Sequence, residues 1–196
     1  MKVRQMLKNW WQALCSPPAR YSLLSLMSFG FVAGVIVWGG FNTGIEATNT
    51  TEFCISCHEI RGNVYQEYQK SLHYSNRFGV RTSCSDCHVP KDWIHKMSRK
   101  FEASAELWGK LTGSIDTREK FEARRPELAK REWARMRASD SRECRNCHSY
   151  EAMNSAIQNK DAQTKHMLAI QPNSGKTCID CHKGLAHELP AGAENY

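Results

Sequence analysis

The hydrophobic pattern divides the chain near residue 46. From Tyr21 to Ile45 no charged side chain interrupts the run SLLSLMSFGFVAGVIVWGGF, which is long and apolar enough to cross a bilayer as one helix. Ahead of it, Trp10 and Trp11 predict a short interfacial segment, and Pro17 and Pro18 a turn into the span. Behind it, RKFEASAELWGKLTG and DTREKFEARRPELAKREWARMRA are dense in helix formers, and Asp116 with Glu119 reads as a capping box. No stretch alternates convincingly enough to predict a strand. The expected fold class is mainly α, with a single N-terminal transmembrane helix and a small domain of short helices and turns.

Charge orients the span. Lys2, Arg4, Lys8 and Arg20 precede it with no acid among them, whereas Glu46, Glu52 and Glu59 follow before any basic residue. The positive-inside rule then makes residues 1–20 a cytoplasmic basic N-terminus, 21–45 the anchor and 46–196 a domain outside the cytoplasm, the periplasm of a bacterium. A cleaved signal peptide is the rival. Its apolar core is normally about 7–15 residues and is followed by a small-residue cleavage site, and neither feature fits here.

Cysteine changes the picture most. Nine Cys and eight His in 196 residues point to disulfides, a metal or covalent haem. Eight of the cysteines form four C-x-x-C-H motifs: Cys54, Cys57 and His58; Cys84, Cys87 and His88; Cys144, Cys147 and His148; Cys178, Cys181 and His182. Two thiols three apart can each form a thioether to a porphyrin vinyl group, and the adjacent imidazole reaches the iron. Zinc sites or disulfides would also use paired cysteines, but neither explains a His after every second Cys. Four motifs imply four covalently bound c-type haems.

The remaining histidines are His73, His95, His166 and His187. They give the order motif, His, motif, His twice, so the domain reads as a duplicated di-haem unit, about 54–95 and 144–187, with a helical connector at 96–143. Two imidazoles per iron would close both axial faces, which suits electron transfer. Four haems in residues 46–196 leave about 38 residues for each, so the macrocycles are expected to form much of the core. The net charge of +7 gives no case for nucleic acid. Four of those charges precede the span, and eight propionates would bring the exported part to about −5.

With its anchor ending WGGFNTG and the segments EFCISCHE, NVYQEY, SLHYSNR, CHVP, KFEARR, ECRNCH and TCIDCHKG, the chain resembles the NapC/NirT family of membrane-anchored tetrahaem cytochromes c over nearly its whole length. The resemblance implies a quinol dehydrogenase of the inner membrane. It would take electrons from menaquinol or ubiquinol and pass them to a periplasmic reductase or its cytochrome subunit, with nitrate reductase the first expectation. Donors to nitrite or trimethylamine-oxide reductases, a terminal oxyanion reductase and a passive electron store are the rival functions.

Two positions depart from the family pattern. Ile60 stands where a Met commonly follows the first motif, leaving His58 as the natural ligand there. Lys91 stands where relatives carry a His after the second motif, so either Lys91 or His95 is expected to ligate that iron, or the iron is liganded otherwise. His95 is favoured because an ammonium must first lose a proton. Quinol also releases two protons, and the resemblance makes Asp86 the catalytic base, with Arg81 or a nearby basic residue orienting the quinone oxygen. Asp180 occupies the same place in the fourth motif, which leaves a structural role for Asp86 open.

Overall fold

The apolar run folds as one uninterrupted helix. In the computed structural model, which describes residues 2–15 and 21–193, helix α1 (Lys2–Cys15) and helix α2 (Leu23–Ala47) make up the first of two compact units, Met1–Ala47. The predicted Pro17-Pro18 turn lies outside the described residues. Helix α2 has 25 residues, about 37 Å at 1.5 Å each, enough to cross a hydrocarbon core of about 30 Å. Its side chains from Leu24 onward are largely exposed apolar groups, and among the described residues it is the one helix long and apolar enough to span a membrane. In α1, Val3, Met6, Leu7, Trp10 and Trp11 recur at helical spacing and are all exposed, forming one apolar stripe beside Arg4 and Lys8.

The second unit, Thr48–Tyr196, is built from short helices that mostly begin or end at the cysteine motifs. In chain order they are α3 (Thr51–Cys54), α4 (His58–Gly62), α5 (Val64–Gln69), α6 (Cys84–His88), the long pair α7 (Trp93–Leu111) and α8 (Arg118–Ala138), then α9 (Arg142–Arg145), α10 (Lys160–Ala169) and α11 (Cys178–Cys181). A 3-10 turn at Ser155–Ile157 precedes α10, and no strand occurs among the described residues. The helical connector therefore resolves into two helices. The cap between them differs by one residue from the expected Asp116 box. Thr117 is the N-cap and accepts from the Lys120 N–H, while Asp116 binds the Lys120 ammonium at 2.6 Å. Both residues offer an acceptor, and the chain uses the hydroxyl for the backbone and the carboxylate for the side chain.

Polar ties carry the tertiary structure, because the chain's own atoms bury few apolar groups; Tyr68, Ile179 and Ala193 are the buried ones among the described residues. The Arg125 guanidinium makes a two-pronged bond to Glu67 of α5, at 2.7 and 2.6 Å, and also donates to the Glu188 carbonyl at 2.6 Å. Pro126 follows directly and takes one backbone donor out of α8.

A second tie joins the third and fourth motifs. Ser141 is fully buried in a left-handed conformation (φ 49°), and its hydroxyl oxygen accepts from the Thr177 hydroxyl at 2.8 Å and the Ile179 N–H at 3.2 Å. Ser141→Ala leaves both donors buried and without that acceptor. The expected cost is about 1–3 kcal/mol, measured as a loss of stability in thermal unfolding of the holoprotein.

Candidate functional site

The four motifs are brought together in chain order. Helix α3 meets α6, α6 meets α9, and Ser141 ties α9 to α11. The Cys54 and Cys84 thiols are hydrogen-bonded to each other, which raises the first and lowers the second, to about 6. Burial and then the nearby Cys144 push the Cys87 thiol up to about 11, and burial with the nearby Cys178 raises Cys144. The eight motif cysteines are unbridged, and no group of three or more His, Cys, Asp and Glu forms a metal cage among the described residues.

Six histidines stand in three facing pairs. His73 and His148 have ring centroids 6.4 Å apart, His88 and His187 6.1 Å, and His166 and His182 6.0 Å. A metal–imidazole bond is about 2 Å long, so one ion held between two ring nitrogens sets the centroids about 6 Å apart. Each pair joins one motif histidine to one of the spare ones, and two of the three pairs cross between the repeats. Burial, and in each case a facing imidazole, lowers His73 and His182 and brings His187 down to about 4, keeping that ring neutral at neutral pH, the form a metal binds. The residues fit the group their motifs imply.

His58 and His95 have no facing imidazole among the described residues. His58 is exposed, with its Nδ1 3.4 Å from buried Glu59, and it lines a cavity of about 200 Å³ together with Gly62, Asn63, Asp116, Thr117 and Arg118. His95 is held 2.5 Å from Asp92, the residue that also accepts its backbone N–H at the start of α7. Lys91 is exposed, its ammonium 3.9 Å from Asp86. Lys91 is thus held beside Asp86 and His95 beside Asp92. The imidazole opposite His88 comes from His187, in the other repeat.

Asp86 closes a capping box with Ser83, the N-cap of α6. Its Oδ2 accepts from the Ser83 N–H and hydroxyl, each at 2.8 Å, while the Ser83 hydroxyl accepts from the Asp86 N–H. Burial works to raise its carboxyl, but the Ser83 bonds and the Lys91 ammonium prevail and hold it below the usual range. Asp180 does the same in the fourth motif, accepting from the Thr177 N–H at 2.9 Å and from Arg137 at 2.6 Å. Arg81 turns away from Asp86, donating to the Tyr74 carbonyl at 2.9 Å with its guanidinium 4.0 Å from the Tyr74 ring centre.

Spacing did not reveal the groups behind the imidazoles. His88 Nδ1 lies 2.9 Å from Glu132 and His166 Nδ1 lies 2.9 Å from Gln158. Glu132 sits in a connector helix far from the second motif, and a Glu among many on such a helix carries no signal. Burial works to raise its carboxyl, but bonds from His88 and Arg135 prevail and hold it far below the usual range.

Residues 16–192 match the NapC/NirT cytochrome c family, N-terminal region. The chain belongs to that family. It is 63% identical over 176 residues to the denitrification system component NirT of Stutzerimonas stutzeri, covering 90% of this chain and 87% of that one. It is 54% identical over 184 residues to the cytochrome c-type protein NapC of Escherichia coli K12, covering 94% and 89%. The cytochrome c-type protein TorC of the same organism is 47% identical over 185 residues, which cover 94% of this chain but 47% of TorC. No solved structure matches the chain. A cytochrome of this family carries covalently bound haem c with iron.

Proposed function

We propose that this cytochrome is a single-span quinol dehydrogenase of the bacterial inner membrane, its N-terminus cytoplasmic and its tetrahaem domain periplasmic. The observation that carries the reading is the set of three facing imidazole pairs behind a membrane-length helix. Cys54 and Cys57, Cys84 and Cys87, Cys144 and Cys147, and Cys178 and Cys181 hold four haems, each of which when bound takes up one electron and hands it on. His88 with His187, His148 with His73, and His182 with His166 would hold the irons of the second, third and fourth. His58 ligates the first. Lys91 and His95 drop out of the ligand set, because His187 supplies the imidazole that the second motif lacked.

The first motif follows the span directly in sequence and alone has no facing imidazole, so its surroundings suit quinol oxidation. A quinol gives up two protons with its two electrons, and a carboxylate must receive them. Asp86 spends Oδ2 on the cap and keeps Oδ1 toward Lys91, so the carboxylate serves as proton acceptor and Lys91 replaces Arg81 as the cation that orients the quinone oxygen. The acceptor is nitrate reductase, as the segments shared with the family suggest. The higher identity to NirT than to NapC favours a second reading, another reductase of the denitrification system.

The test uses detergent-solubilised full-length protein and reduced quinol analogues without dithionite. The haem bands are expected to become reduced, with about four haems per chain on the same sample. Asp86→Asn keeps an oxygen for the Ser83 cap but removes the base, and is expected to slow reduction about 100-fold with unchanged haem spectra. If ubiquinol and menaquinol analogues both fail to reduce the wild-type haems, the quinol reading is wrong.

A further inference from the structure

We propose that Glu132 lowers the potential of the haem carried by the second motif, as a positioning residue that acts through His88. The inference rests on the reading of His88 and His187 as ligands. A neutral imidazole that gives one nitrogen to iron carries its proton on the other, and His88 presents Nδ1 to Glu132 Oε1 at 2.9 Å. A carboxylate accepting that proton's hydrogen bond makes the ring more electron-rich. A more basic ligand stabilises ferric over ferrous iron and moves the potential down.

The carboxylate is fixed in place. Arg135, one turn along α8, donates to Oε2 at 3.1 Å from Nε and to Oε1 at 2.6 Å from Nη2. The other side of the same guanidinium lies 3.6 Å from Glu143 of α9, which is 2% exposed. Glu132 and Arg135 are themselves only 23% and 20% exposed, so water screens the contact weakly. Two helices thus hold one anion against one imidazole.

The fourth motif offers an internal contrast. There His166 presents Nδ1 to Gln158 at the same 2.9 Å, but the acceptor is a neutral amide. The geometry matches and the charge does not. The second haem is therefore expected to lie below the fourth, an order that drives electrons from the second motif toward the fourth, at the far end of the chain.

Full-length holoprotein carrying Glu132→Gln tests this by spectroelectrochemical titration together with low-temperature electron paramagnetic resonance of the oxidised haems. One midpoint potential is expected to rise while the other three stay, with the g-values of a single low-spin haem shifting. Gln158→Glu is expected to lower the potential of a different haem. If both variants leave every potential where it was, Glu132 does not tune the haem. His187→Met separates this from the ligand reading. It is expected to change the signal of the haem that Glu132→Gln moves. If it changes none, the His88–His187 ligation is wrong. If it changes one haem while Glu132→Gln moves another, the tuning role alone fails.

Discussion

Arg125→Met is expected to destabilise the holoprotein by about 3–5 kcal/mol, the range for removing one partner of a buried ion pair. Arg125 and Glu67 are 10% and 11% exposed, so the surviving Glu67 carboxylate would keep its charge in a place water barely reaches. The damage extends beyond the pair. Glu67 Oε2 also accepts the Glu188 N–H at 2.8 Å, and Arg125 holds the Glu188 carbonyl, so both backbone groups next to His187 hang on this one contact. Without it the segment bearing His187 loses its anchor, and the second haem is expected to lose low-spin character well below the global unfolding temperature. Thermal unfolding followed in parallel by absorbance in the haem bands and by circular dichroism reads both effects. Replacing both partners, Arg125→Met with Glu67→Leu, is expected to recover much of the stability, because no unpaired charge remains. A loss below about 1 kcal/mol in the single variant would mean the pair behaves as a surface one.

What the sequence made legible follows from how local each signal is. The membrane helix is read from an uninterrupted apolar run, and haem attachment from five consecutive residues, as in Cys54–His58; both signals are contained in one short segment. The helical connector is read from composition, although the choice between Asp116 and Thr117 as cap turns on a single hydrogen bond that either residue could have made. The imidazole pairs are another matter. His88 meets His187 and His73 meets His148 across the connector, and no periodicity encodes contacts at that range. The family pattern and the spacing point instead to Lys91 and His95, which the structure places beside Asp86 and Asp92. Asp86 illustrates the reverse: the equivalence with Asp180 is visible in the duplication, and each carboxylate closes a capping box with the N-cap residue three positions earlier. Ser141, Glu132 and the Glu67–Arg125 pair gave no signal because each is an ordinary residue type made important by what it touches.

Removing the third attachment site is expected to cost far more than removing the first. The third motif lies at the middle of the domain. Cys144 lies near Cys87 on one side and Cys178 on the other, His148 meets His73 from the first repeat, and Ser141 beside the motif holds α11. The chain's own atoms bury only Tyr68, Ile179 and Ala193 as apolar groups among the described residues, too little to offset the entropy of ordering a domain of this size. On the proposed tetrahaem reading, haem supplies the apolar surface on which the short helices pack, and a central haem supports more of them than a terminal one. Cys144→Ser with Cys147→Ser is expected to yield protein with fewer than three haems per chain and no cooperative unfolding transition. Cys54→Ser with Cys57→Ser, at the start of the domain and without a paired imidazole, is expected to keep three haems and a cooperative transition. Haem content per chain and calorimetry on the two purified variants make the comparison. If the third-motif variant kept three haems and unfolded cooperatively, its haem would be one cofactor among four rather than the centre of the core, and the polar ties at Ser141 and Arg125 would have to carry the fold instead.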